Sequence, residues 1–181
     1  MDNNVTGYID YFRQLAVSHK DLQHKPASET GDCLPGDMRF TKISVEQVLK
    51  GLHSKIGFPC LTLELYTTDT ESEIVYEVKQ KPRGAFMVVD HPENDTNAAE
   101  EKCYEIAETI VLQILKQIWQ DHYGVGVNRC ATPFKEFVYD KISITPVGPI
   151  FSNEHGWRVE FDFEFQNIID ITEAPEEGIF T

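Results

Sequence analysis

Residues Asn97 to Tyr123 constrain the fold more than any other stretch. At helical spacing Cys103, Ile106, Ala107, Ile110, Val111, Ile114, Leu115, Ile118 and Trp119 form one wide apolar stripe. Glu101, Lys102, Glu105, Glu108, Gln113, Lys116, Gln117 and Gln120 fall on the other side. Apolar residues recurring at i, i+3, i+4 and i+7 over such a length predict an amphipathic helix lying on a core. Asn97 with Glu100 three residues on has the spelling of a capping box, and Gly124 is placed to end the helix in a left-handed turn. At ~1.5 Å per residue the helix reaches about 40 Å, enough to cross a whole sheet diagonally.

The strands to fill that sheet are legible on either side of it. Phe58–Thr67 alternates, Glu73–Gln80 puts Ile74, Tyr76 and Val78 on one face, and Ala85–Asp90 (AFMVVD) is apolar enough for a central strand. After the helix, Gly124–Phe134 reads as irregular. Phe137–Ile150 follows as a strand whose Pro146 and Pro149 restrict it to an edge or a bulge. SNEHG then supplies a hairpin turn. Trp157–Phe165 alternates without a break: Trp157, Val159, Phe161, Phe163 and Phe165 against Arg158, Glu160, Asp162 and Glu164. One face of that strand is therefore buried and the other faces water or a partner.

The N-terminal part reads as two helices separated by a loop. Thr6 to about Lys20 forms the first, with Tyr8, Phe12, Leu15 and Ala16 down one side. Residues 21–43 are Pro/Gly/Ser-rich and predict a loop. Val45–Lys55, capped by Ser44 with Gln47 as its partner, predicts a second helix. The last residues, 167–181, read as an acidic tail whose Ile179 and Phe180 dock on a neighbour. The order α-α-β-β-β-α-β-β predicts one α+β domain over 1–181: a mostly antiparallel sheet with the long helix packed across one face.

Charge bounds the partners. Thirty acidic residues against sixteen basic give a net charge of −14, and no basic cluster interrupts them. Such a field repels phosphates and argues against sequence-independent nucleic-acid binding. No apolar run approaches the ~18 residues of a membrane span, and the polar, acidic start MDNNVTGYID predicts no secretory signal. Cys33, Cys60, Cys103 and Cys130 are far apart and form no CxxC, so free thiols are expected rather than a zinc site.

Chemistry-bearing patterns are sparse. Glu77-Val78-Lys79 preceded by Asp69 has the acid, acid-x-Lys spelling with which nucleases hold a divalent metal and polarise a phosphate. The same spelling is common on a solvated strand face. Asp90-His91-Pro92-Glu93 and Asp121-His122 set histidines beside carboxylates, as acid/base and metal sites do, but at element ends where such residues also cap and turn. No Ser-His-Asp spacing, phosphate-cradling glycine loop or H-E-x-x-H occurs. The expectation is a protein without catalytic residues, metal or cofactor.

A resemblance adds to this. Strands ending in GAFMVVD, a long helix and then ITPVGPIFSNEHGWRVEFDFEF resemble small proteins of phage-type gene clusters of Bacteroidetes. The V-G-P-I-F and G-W-R-V-E-F hairpin carries most of that likeness. The element order over about residues 5–166 is similar to that of phage tail terminator and tail completion proteins, an architectural likeness. Those proteins form rings, commonly of six, that cap the tail tube at its head-proximal end. The resemblance implies a structural, homo-oligomeric protein of a virion or phage-like particle assembled in the bacterial cytoplasm. Its partners would be itself and tail-tube or neck proteins. The acidic face of the last strand (Arg158, Glu160, Asp162, Glu164) is then either an ordinary solvated face or a lumen- or partner-facing wall that DNA slides past without being held, and the proline-marked edge strand (Ile144, Pro146, Pro149, Phe151) is the expected subunit interface. The alternatives are a cytosolic protein–protein adaptor or chaperone-like module, and a metal-dependent nuclease using Asp69, Glu77 and Lys79.

Overall fold

The computed structural model describes residues 4–26, 36–43, 56–74, 77–124, 132–150 and 153–165, with side chains described for all of these except 43, 69–74 and 77–81. Helix α1 (Asn4–Ser18) is followed by β1 (Met38–Ile43), β2 (Ile56–Ile74), β3 (Glu77–Asp90), the long helix α2 (Asn97–Tyr123), β4 (Phe134–Ile150) and β5 (Glu154–Phe165). The five strands form one sheet in the order β1-β2-β3-β5-β4. It is antiparallel throughout except for the parallel pair β1–β2. The α+β class is as the pattern predicts.

Several local expectations are corrected. Residues 38–43, read as loop, form an edge strand: Met38 and Phe40 are buried, and Phe40 pairs with Leu61. Glu73–Gln80 and Ala85–Asp90 are not two strands, because β3 runs unbroken from Glu77 to Asp90. Pro82 does not interrupt it. β5 accompanies β3 only as far as Arg83, so Pro82 sits where β3 is itself an edge and owes no hydrogen bond on that side. The cap of α2 is Thr96 rather than Asn97: Thr96 is extended and its hydroxyl accepts from the Ala99 amide at 3.4 Å. Gly124 closes α2 by donating its amide to the Gln120 carbonyl at 2.7 Å. Its φ is −59°, so no left-handed turn is made there. The helix expected at Val45–Lys55 and the acidic tail 167–181 lie outside the described residues.

Both helices pack on the same face of the sheet. Buried Tyr8, Phe12, Leu15 and Ala16 of α1 and Ala107, Ile110, Val111, Ile114 and Ile118 of α2 share one core with Leu61, Leu63, Phe86, Val88, Phe134, Phe137, Val159, Phe161, Phe163 and Phe165. Its centre is aromatic. Phe161 lies 4.9 Å from the Phe137 ring, 5.7 Å from Phe163 and 5.9 Å from Phe12, while Tyr8 stacks on Phe163 at 5.5 Å. Gly84 makes room for this cluster, since a Cβ there would lie 2.7 Å from both the Phe161 ring and the Tyr8 hydroxyl. Tyr11 staples the helices together by donating to Asp121 at 2.9 Å. A smaller cluster on the opposite face holds Cys60, Met87 and Val89, with Phe58, Val147 and Ile150 against it. Cys60 and Cys103 are free and buried, and burial pushes the Cys60 thiol up to about 12. Cys33 and Cys130 lie outside the described residues.

Candidate functional site

The alternation of β5 is as read, since Val159, Phe161, Phe163 and Phe165 are buried and the residues between them are half-buried. The polar face is not a bare wall of carboxylate. Arg158 holds Glu64 of β2 through two bonds, at 2.7 and 2.9 Å, and also reaches Glu160. Asp162 lies between Arg83 at 3.0 Å and Lys141 at 3.5 Å, and Glu164 meets Lys135 at 3.3 Å. The bonds to Glu64 raise the Arg158 pKa further, so it stays charged at any ordinary pH. Each carboxylate of the strand thus has a cation beside it. The reason is register: β3 and β4 set Arg83 and Lys141 around Asp162. At contact distance such pairs offset the negative potential of this strand locally, while the chain's net charge of −14 is unchanged.

The nuclease residues are spread along a different feature. β1 stops pairing with β2 at Glu64, and β5 stops pairing with β3 at Arg83. The β2–β3 pairing nevertheless continues to Ile74 and Glu77. Residues 67–74 and 77–82 therefore project past the sheet as a two-stranded ribbon of about 26 Å at ~3.3 Å per residue. Along it Asp69 is level with Lys81 and Glu77 with Ile74. That offset of four residues puts Asp69 and Glu77 about 13 Å apart along the ribbon, too far to close on a metal whose bonds are ~2 Å.

The histidine–carboxylate pairs meet at the other end of the sheet. His91 Nδ1 is 3.4 Å from the buried Glu154 carboxylate, and Asp90 accepts the His91 amide at 2.9 Å. His155 contacts the Tyr104 hydroxyl at 3.3 Å and Asn153 Oδ1 at 3.1 Å, while Trp157 Nε1 donates to the Tyr104 carbonyl at 3.0 Å. Burial raises the Asp90 pKa against the pull of its amide bond and nearby cations. Asp121, of the second pair, is held by Tyr11 and by Gln117 at 2.6 Å. These contacts tie the β4–β5 hairpin to α2 and α1 to α2. Among the described residues no group of three or more His, Cys, Asp and Glu is arranged to hold a metal. An open cavity of about 770 Å³ between residues 20–25, β1 and α2 contains none of the candidate residues, and its Lys25 and Asp37 are paired at 2.7 Å.

The edge strand is the part of the molecule least provided for. β4 is the outer strand, so one side of its backbone has no strand partner among the described residues. Three register shifts bend it, between Phe134 and Glu136, between Val138 and Ser143, and between Val147 and Ile150, the last containing Gly148 and Pro149. Gly148 has a φ of +141°, and a Cβ there would meet His155 Nδ1 at 2.6 Å, so only glycine fits. From Ile142 to Ile150 the strand carries no charge. Ile144, Pro146 and Pro149 are exposed, while Phe151 lies outside the described residues.

Ile144 is level with Val159 and Pro146 with Trp157, which places both on the side of the sheet that carries the helices. Facing them, α2 exposes Leu112 (53%), Trp119 (51%) and Tyr123 (50%). The Tyr123 ring lies 5.8 Å from Tyr139 of β4, and at the other end Tyr104 lies 6.1 Å from Trp157. Between these two contacts Leu112 and Trp119 form an exposed apolar stripe on α2. Trp119, assigned by its spacing to the core stripe, belongs to this second stripe instead. Leu112, Leu115, Trp119 and Tyr123, at i, i+3, i+7 and i+11, were the signal that could have found it. Comparison with protein-family models, curated proteins and solved structures gives no match.

Proposed function

We propose that this chain is a structural subunit of a phage-type tail, which joins copies of itself head to tail into a ring at the end of the tail tube, as terminator or head–tail joining component. The observation that carries this reading is the presence of two dissimilar open surfaces on one chain: the β2–β3 ribbon, and the uncharged β4 edge with the exposed apolar side chains of α2. A two-stranded ribbon is marginal alone in water, and an open edge beside apolar side chains is an interface waiting for a partner. Two different surfaces that fit each other make a heterologous contact, and a rotation that closes turns such contacts into a ring. A monomeric adaptor needs only one of them. The β5 carboxylates are paired with cations, so they supply no electrostatic reason to line the lumen, and the assignment of subunit contact rests on Ile144, Pro146 and Pro149.

Deletion of the gene in its phage or phage-like cluster tests the proposal. Tails of abnormal length, or tails that fail to join heads, are the expected result. Normal particles without this chain would refute it.

A further inference from the structure

The outward line of α2 is complementary to itself when reversed. Its N-terminal half carries Glu101, Glu105 and Glu108, its middle Leu112, and its C-terminal half Lys116, Trp119 and Tyr123; all are exposed. We infer that two copies of this chain pair through this line, antiparallel about a twofold axis at Leu112. The inference concerns the isolated subunit and stands apart from the ring proposed above.

The line is open to a second helix. Steps of three or four residues hold it within about 40° of one direction along about 33 Å of helix. Cys103, Ala107, Ile110, Val111, Ile114 and Ile118 of α2 are buried. At ~100° per residue the exposed line lies about 150° round the helix from them, so it points away from the sheet.

Charge then selects the partner and the register. In an antiparallel pair, residues equally far from the axis on opposite sides face each other. With the axis at Leu112, that residue meets Leu112 of the second copy, Glu108 meets its Lys116, Glu105 its Trp119 and Glu101 its Tyr123. Each contact off the axis forms twice by symmetry. An ammonium, an indole N–H and a phenol O–H are all donors that a carboxylate accepts. Within α2, Glu105 stands at i+4 from Glu101 and Glu108 at i+3 from Glu105, so these acids repel one another and gain from donors brought by a second copy. Other arrangements lose this match. An axis one turn earlier sets Glu108 against Glu108, and one a turn later sets Lys116 against Lys116. A parallel pair sets every acid against an acid. Of these arrangements only the one centred on Leu112 brings no like charges together and keeps its apolar contact in the middle.

Sedimentation equilibrium of the full chain at about 100 μM in low salt tests the inference. The expected species has twice the 20.7 kDa of one chain. Glu108→Lys alone and Lys116→Glu alone each create two like-charge contacts and should weaken the pair at least ~10-fold. The two substitutions combined in one chain should restore it to within ~3-fold of the unaltered chain. An equimolar mixture of the two single variants should give a mixed dimer. The subunit is held by its own core, so all three variants should keep the parent's circular dichroism. A monomer at that concentration, single variants that pair as tightly as the parent, or a double variant that stays apart would each overturn the inference. None of these results depends on whether rings form.

Discussion

Phe161→Ala should be among the most damaging single truncations in the core. Phe161 is 1% exposed and its ring meets Phe12, Phe86, Phe134, Phe137 and Phe163, so it bridges α1, β3, β4 and its own strand. Truncation returns roughly 120 Å² of apolar burial, about 3 kcal/mol at ~25 cal/mol per Å². The unfilled cavity and the lost ring–ring pairs bring the cost to about 4–5 kcal/mol. Leu112→Ala, on the exposed stripe of α2, should stay within about ±0.5 kcal/mol. Urea unfolding followed by far-ultraviolet circular dichroism measures both. Equal costs for the two substitutions would mean that the shared core of helices and sheet has been misassigned.

Other outcomes follow from the same contacts. Tyr11→Phe, which takes a donor from the Asp121 carboxylate, should cost about 1.5–2 kcal/mol in the same urea assay. Tyr8→Phe, whose hydroxyl donates to the Glu64 carbonyl at a longer 3.3 Å and not to a carboxylate, should cost less. Gln113→Ala should cost about 0.5–1.5 kcal/mol, because Gln113 meets His19 at 2.8 Å instead of lying idle on a polar face. Burial raises the folded pKa of Asp90 above its ordinary 3.8, so the folded state binds that proton more tightly and stability falls as pH rises through the interval between the two values. Asp90→Asn should therefore stabilise the protein at pH 7 and make no difference below about pH 3.8, as thermal unfolding across pH would reveal. Ile144→Lys should leave folding within about ±0.5 kcal/mol while abolishing incorporation into assembled tails.

Much of the fold could be read from periodicity. α1, α2, β5 and the edge position of β4 each carry a signal strong enough to survive tertiary context: a stripe, a strict alternation, or prolines that forbid a central place. What escaped the sequence depended on neighbours. β1 is only Met38–Ile43 and takes its identity from pairing with β2. Residues 81–84 fell between two expected strands, and they continue β3 through Pro82 because β5 has already ended beside it. The acidic strand looked like a negative surface because its cations, Arg83, Lys135 and Lys141, come from other strands. The exposed stripe of α2 was hidden for a similar reason. Trp119 and Leu112 are as apolar as the core residues beside them, and only the position of β4 shows which side of α2 stays uncovered.

Electron cryomicroscopy of the assembled particle tests the central claim most directly. The chain should appear as a single rotationally symmetric layer at the head-proximal end of the tail tube. Within that layer the β4 edge of each copy, around Ile144 and Pro146, should be covered by the β2–β3 ribbon of the next. A single copy per particle, or a position on fibres or baseplate, would contradict the account.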